Sequence, residues 1–477
     1  MLKELMFFRL YFDVIKPVSN LQFYHGIYFS AMLRDWIRPY SSLPLAELGI
    51  SPIPLTNGVC ELYTGEKVAL DISCPPSSAP LIEAMLKNEL SGNSKAIYSQ
   101  RHTHFVPGKS LTLDSYKILN ETPISLFSET IDRELDIIKS KDEIDIIFHT
   151  PLRMKPALKE KSPFRYLDPI HIDPEIFFSA FCREMNLNID SKSYPDITHK
   201  GFLWMDMKYQ KSLGGIIGGM RIKSPSDTEL LRHLIWGQYS GIGKNRAFGF
   251  GHYFIKEANN FRSTSEKDIC NLIFNRTYKL SNVRSALEEL KSSSPGPDHL
   301  AKEDLKEAGR PYLENIQKTL RLKKTEAGDT LTFRKRTRSG GYRLIRIANI
   351  SERHTLLCIL RQISPILDTL LLPSCFSYRT GRDYHMAARE LKKHYTKGFE
   401  HAIKADISAF FDSIPQKMLH LLLNGLFYHD QITTLISDNI LASKNGLPQG
   451  NPLSPILSNL FLQPFDHYIK SKGWHLI

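Results

Sequence analysis

Asp406-Ile407-Ser408-Ala409-Phe410-Phe411-Asp412 reads as a strand that delivers a carboxylate. Downstream comes Gly446-Leu447-Pro448-Gln449-Gly450-Asn451-Pro452-Leu453-Ser454-Pro455. Two-metal nucleotidyl transfer needs several carboxylates to hold a pair of Mg²⁺ ions about 3.5–4 Å apart. Asp406 is one of them, so it is a candidate catalytic and metal-binding residue.

The two blocks together resemble the palm of a reverse transcriptase of the group II intron type. There the pattern is D-I-x-x-F-F-D, then L-P-Q-G-x-P-x-S-P, then a Tyr-Ala-Asp-Asp turn. The first two are present and the third is not found before Ile477. Residues 1–477 alone are therefore expected not to polymerise, and the natural chain is expected to be longer. Tyr342-Arg343-Leu344-Ile345-Arg346-Ile347 resembles the fingers motif of that family. Ser374-Cys375-Phe376-Ser377-Tyr378-Arg379-Thr380-Gly381-Arg382 matches its S-x-x-Y-R-x-G-R block. The resemblance implies that Arg343, helped by Arg336, touches the incoming triphosphate. It implies that Phe411 excludes a 2′-OH and that Gln449 contacts the nucleotide or template. Read from the residues alone, the basic run Arg334 to Arg346 around Gly340-Gly341 is equally apt for gripping triphosphate or template backbone.

Working toward the amino terminus, Asn259 to Lys267 is polar and short-sided, and 258–270 is taken as a linker. Before it stand two strand–helix–strand–strand–helix–strand patterns, over residues 1–120 and 121–257. Each predicts a ferredoxin-like unit. In the first, Leu5 to Ile15 reads as a strand and Asn20 as the cap of a helix over Leu21 to Ile37. The fold class is α+β: two ferredoxin-like units, then fingers and an incomplete palm over 271–477.

The densest glycine run is Gly241-Ile242-Gly243-Lys244-Asn245-Arg246-Ala247-Phe248-Gly249-Phe250-Gly251. Glycines let backbone approach a phosphate, and successive N–H groups form an anion nest. Gly241, Gly243, Lys244, Arg246, Gly249 and Gly251 are the candidate RNA-binding residues; a tight packing turn is the competing reading. With Gly214-Gly215-Ile216-Ile217-Gly218-Gly219 and Phe148 to Lys155, the run resembles the CRISPR repeat-RNA endoribonuclease family over residues 1–257. That resemblance implies metal-free cleavage, in which a 2′-OH attacks its own phosphate. It implies that His25, near the first helix, transfers a proton. A packed histidine is the plain alternative, and His252 is the second choice.

Composition fits these readings. The chain has 477 residues, 42% hydrophobic, with 62 basic against 50 acidic and a net charge of +12. That excess favours a polyanionic partner. The six cysteines show no C-x-x-C, so neither a zinc site nor a disulfide framework is read. No apolar run reaches the ~20 residues of a membrane span, so no membrane association and a cytoplasmic setting are expected. The combined resemblance implies CRISPR adaptation, with repeat RNA, RNA template, DNA primer, a downstream integrase and its small adaptation partner. A non-catalytic RNA-binding head on an intron maturase is the alternative.

Overall fold

In the computed structural model, residues 4–93, 110–157, 164–208, 213–263, 270–291, 295–323, 330–336, 342–440 and 446–477 are described. The chain divides into two units. One holds Met1–Leu272 together with Leu421–Asp430; the other holds Ile273–His420 and Gln431–Ile477.

The first unit contains two four-stranded antiparallel sheets of the same topology. In one, β1 (Glu4–Val14), β2 (Ser51–Pro54), β3 (Lys67–Cys74) and β4 (Leu111–Ile118) lie in the order β2-β3-β1-β4, with β5 (Ile124–Ser125) on the start of β1. Helix α1 (Gly26–Ile37) follows β1 and α2 (Ala79–Leu90) follows β3. In the other, β6 (Glu143–Leu152), β7 (Ile197–Met207), β8 (Leu213–Lys223) and β9 (Tyr253–Ile255) lie in the order β7-β8-β6-β9. This is the strand–helix–strand–strand–helix–strand unit expected twice.

Local chemistry sets the helix starts. Asp173 Oδ1 accepts from Ile176 N–H at 2.7 Å, ahead of the helix Pro174–Met185. Asp227 Oδ1 accepts from Leu230 N–H at 2.9 Å, ahead of Thr228–Ser240. Each cap satisfies an otherwise orphaned donor. Phe177, Phe178 and Phe181 of the first helix are buried against Phe148 and other core side chains. Each contributes about 1.5–3 kcal/mol of burial.

Three expectations need correction. Helix α1 begins at Gly26, not Leu21, and Asn20 is left-handed rather than a cap. Leu21 N–H donates to Cys60 O and Phe23 O accepts from Gly58 N–H, so tertiary pairing consumes the backbone a first turn would need. Asp406 to Asp412 is not a strand: 401–407 has no regular structure, and Phe410–Ser413 is a helical turn. A strand needs a hydrogen-bonding neighbour, and among the described residues none pairs with 401–407. The supposed linker sends side chains into the core, although Asn259 is exposed. Arg262 is 0% exposed and Asn260 is 1% exposed.

Arg262 enters the core to meet a carboxylate. Arg9 donates to both Asp71 oxygens at 2.7 and 3.1 Å. Arg262 Nε reaches Asp71 Oδ2 at 3.3 Å, and its Nη1 donates to Gln238 O at 3.1 Å. All three charged side chains are buried. Asp71→Ala leaves two buried guanidinium groups without a counter-charge. It is expected to cost about 3–5 kcal/mol, read by urea unfolding. A loss below about 1 kcal/mol, the scale of a surface pair, would reject this network as a stabilising feature.

Leu421–Asp430 completes the first unit. An added Cβ on Gly425 would lie 2.3 Å from Gly218 Cα, so the two backbones touch. Phe427 packs near Phe23 at 6.2 Å, and the Tyr428 ring stacks on Phe254 at 4.6 Å. His429 meets His149 edge-on at 5.2 Å. Burial pushes both imidazoles down, His429 to about 3, so both are neutral at ordinary pH.

The second unit is mainly helical. Its long helices are Gly309–Leu322, Ile350–Asp368, Tyr384–Thr396 and Ser454–Ser471. Asn282 ties two backbones by donating to Thr277 O and Cys358 O. A two-stranded ribbon pairs β10 (Thr330–Arg336) with β11 (Tyr342–Ala348). No helix among the described residues is long and apolar enough to cross a membrane.

Candidate nucleic-acid sites

The polymerase motifs converge in the second unit. Leu447 N–H donates to Phe411 O at 2.7 Å, and Gln416 Nε2 donates to Gly446 O at 2.7 Å. Gln449 Nε2 reaches Asp412 Oδ2 at 3.4 Å. Arg346 N–H donates to Gln449 O at 3.2 Å, which joins this loop to β11. Gly450, at φ +108, lies under Arg346 O, where a Cβ would sit 2.1 Å away. The glycines of the loop are thus required by close backbone approach and left-handed geometry.

Phe411 is half-buried beside this loop, and Asp406 is exposed. Every residue of β10 is exposed, Arg336 included. Arg336 pairs in register with Tyr342, and the Arg343 backbone lies opposite Lys335. The expected turn at Gly340-Gly341 lies outside the described residues. The structure thus brings Phe411 and Gln449 together; it shows no bond from Asp406, Arg336 or the Arg343 backbone to either.

A metal pair does not fit the described residues. No three His, Cys, Asp or Glu side chains gather as a metal-binding group among the described residues. Asp406 alone is too few ligands for an ion that takes six oxygens.

The glycine turn of the first unit is built differently from an open nest. Ile242 N–H donates to Gly251 O, Lys244 N–H to Arg153 O, Gly249 N–H to Arg246 O and Gly251 N–H to Pro151 O. These donors are spent inside the protein. Gly249 sits where a Cβ would be 1.8 Å from Pro52 O, and Gly251 where it would be 1.8 Å from Ile242 O. A Cβ on Gly243 would lie 2.7 Å from Arg153 O, and Gly241, at φ +65, borders the His252 ring. These glycines serve close packing, which favours the packing-turn reading over the anion nest. Lys244 remains exposed, whereas Arg246 is half-buried and burial lowers its pKa.

Both candidate histidines lie in the core. His25 is 4% exposed, and its Nε2 is 2.9 Å from Val59 O. Burial pushes it down to about 4, so it is neutral at ordinary pH. His252 is 0% exposed, with Nε2 3.2 Å from Ser51 Oγ, and burial takes its pKa well below the usual range. In this arrangement His25 pins the start of α1 to Val59 rather than meeting solvent.

The fold and these loops define a protein of two nucleic-acid-handling parts, a double ferredoxin-like unit and a reverse-transcriptase-type unit. Residues 146–253 match the family CRISPR-associated endoribonuclease Cas6, and residues 332–476 match reverse transcriptase (RNA-dependent DNA polymerase). The chain therefore carries a Cas6 domain and a reverse transcriptase domain in one polypeptide.

Among curated proteins, it is 30% identical over 143 residues to an uncharacterized 91 kDa protein in a cob intron of Schizosaccharomyces pombe. That match spans 28% of this chain and 18% of the relative. It is 26% identical to the Escherichia coli protein YkfC over 148 residues, 28% of this chain and 39% of YkfC. The chain thus spans well under half the length of these relatives. Among solved structures it resembles a chain of a partial Cas6-RT-Cas1–Cas2 complex. The TM-score is 0.68 at 19% identity, with 100% of this chain and 86% of that chain covered. It resembles a chain of a Cas6-RT-Cas1–Cas2 complex equally well, covering 54% of that chain. These likenesses support the fold.

Proposed function

We propose that this chain is the RNA-processing and RNA-copying portion of a CRISPR adaptation protein. The observation that carries the reading is the presence of both family matches in one polypeptide. Residues 1–257 cut repeat RNA, and the reverse transcriptase part copies RNA into DNA from a primer for spacer acquisition. The partners are a Cas1-type integrase and its small Cas2-type companion, and the setting is the cytoplasm. Reverse transcriptases generally use a divalent metal, and Asp406 is the residue here that would help to hold Mg²⁺.

Cleavage of RNA by its own 2′-OH needs no metal, because the attacking oxygen is already held beside the phosphate. The protein must orient the backbone, accept the hydroxyl proton and protonate the leaving 5′-oxygen. Full-chain protein should cut repeat RNA in EDTA, leaving a 2′,3′-cyclic phosphate and a 5′-OH. Tight binding without cutting would favour a recognition head instead.

The same assay settles His25. The burial of its ring supports a structural role over proton transfer. His25→Ala should destabilise the first unit by about 1–3 kcal/mol, the cost of an orphaned buried partner. His25→Gln, which keeps a donor toward Val59 O, should restore most stability and cut within a few fold of wild type. A stable His25→Gln that has lost roughly 10²-fold or more in rate would return proton transfer to His25.

A further inference from the structure

Beside the glycine turn, four side chains gather that neither motif set contains as a group. Arg153 follows β6 and lies over the Tyr166 ring, its guanidinium carbon 4.2 Å from the ring centroid. Arg165 approaches the same ring at 5.6 Å. Lys244 arrives from the glycine turn, whose backbone is fastened there by the 2.9 Å bond from Lys244 N–H to Arg153 O. Arg153 Nη1 donates to Gly214 O at 3.1 Å, which fixes the plane of its fork.

Charge and exposure make this a site rather than a packing accident. Arg165 and Lys244 are exposed, and Arg153 and Tyr166 are half-buried. Among the described residues, none of the three cations is paired with a carboxylate. Arg153 above all, with the charges of Arg165 and Lys244, holds the Tyr166 hydroxyl below the usual tyrosine range. Three like charges gathered without an acid repel one another, and an incoming anion relieves that repulsion. A planar guanidinium held on an aromatic face is pre-organised to bond two phosphate oxygens. Arg246, the other cation of the turn, does not belong here. It is half-buried, its carbonyl accepts from Ser51 Oγ, and Glu184 offsets its charge.

We propose that Arg153, Arg165 and Lys244 bind backbone phosphates of the RNA substrate, with Tyr166 as the positioning residue that holds Arg153. This rests on the reading of residues 1–257 as an RNA-cutting domain, and it moves the phosphate contacts from the turn's amides to side chains.

The test measures binding of the full chain to 2′-fluoro repeat RNA, which lacks the attacking hydroxyl, across a series of salt concentrations. Arg165→Gln and Lys244→Gln should each flatten the slope of log K against log salt by about 0.7, and by about 1.4 together. Lys139→Gln, a neutralisation at the exposed end of helix Glu129–Lys139, should leave the slope unchanged. Arg153→Gln should weaken binding further, with its melting temperature recorded because the Gly214 contact is lost. Tyr166→Phe, which keeps the ring and removes the hydroxyl, should weaken binding less than Arg153→Gln. Wild type that binds tightly, with unaltered slopes in both Arg165→Gln and Lys244→Gln, overturns the site and leaves the RNA-cutting reading standing. Wild type that does not bind the RNA overturns both.

Discussion

Purified residues 1–477, given an RNA template, a DNA primer, deoxynucleotides and Mg²⁺, will yield no extended primer. Transfer by two metals needs carboxylates that bridge or flank both ions. The described residues gather no such group, and Asp406 stands exposed on an unpaired segment. The nearby carboxylate, Asp412, already meets Gln449 at 3.4 Å. In a chain that continues through an acidic hairpin, synthesis should appear, and Asp406→Ala should abolish it. In that longer chain Phe411→Ala should chiefly raise ribonucleotide incorporation, if Phe411, whose carbonyl accepts from Leu447 N–H, is the group that excludes a 2′-OH. Robust extension by residues 1–477 would overturn the argument.

The unpaired 401–407 segment shows where sequence reading reaches its limit. Alternation and a β-branched residue before a carboxylate are honest strand signals. Strand formation also requires a partner, and that is not a property of the segment itself. Ile403 and Ile407 are accordingly 75% and 49% exposed. The converse occurs at β2. Ser51-Pro52-Ile53-Pro54 carries two prolines and gives no strand signal, yet it forms an edge strand on β3, where proline's missing donor is tolerated. The second ferredoxin-like order was legible because apolar strands alternate with helices started by Asp173 and Asp227, whereas the first rested on its long strands β1, β3 and β4. Arg262 was not, since a polar stretch announces its solubility and conceals a buried counter-charge such as Asp71. The polymerase loop was legible because glycine spacing there reflects close backbone approach, which the structure shows at Gly446 and Gly450. The ribonuclease residues were less so: a histidine near a helix start carries no information about its burial.

Gly425→Val should unfold or loosen the first unit, although Gly425 lies within the reverse transcriptase match. A Cβ there would stand 2.3, 2.5 and 2.7 Å from the Cα, N and C of Gly218. These are backbone atoms of β8, so no rotamer change relieves the overlap. Gly218 cannot retreat, because it runs at φ +132 against Gly201 O and Phe202 Cα on β7. The helix Gln416–Leu426, which carries Gly425, must lift away, taking the Tyr428 ring off Phe254 and His429 away from His149. Overpacking of this kind costs about 1–3 kcal/mol, and the lost aromatic burial adds to it. The expected result is a fall in melting temperature, with faster amide exchange in β6, β8 and β9. Repeat-RNA cutting should fall with it, so a substitution in the polymerase sequence would report on the ribonuclease. Tyr428→Ala should act in the same direction without a backbone clash, through the loss of its stack. Unchanged exchange in β8 in both variants would show that Leu421–Asp430 is not part of this core. The paired glycines Gly218 and Gly425 explain a feature that composition alone leaves open: a glycine-rich strand here marks the place where a helix backbone lies directly on a sheet.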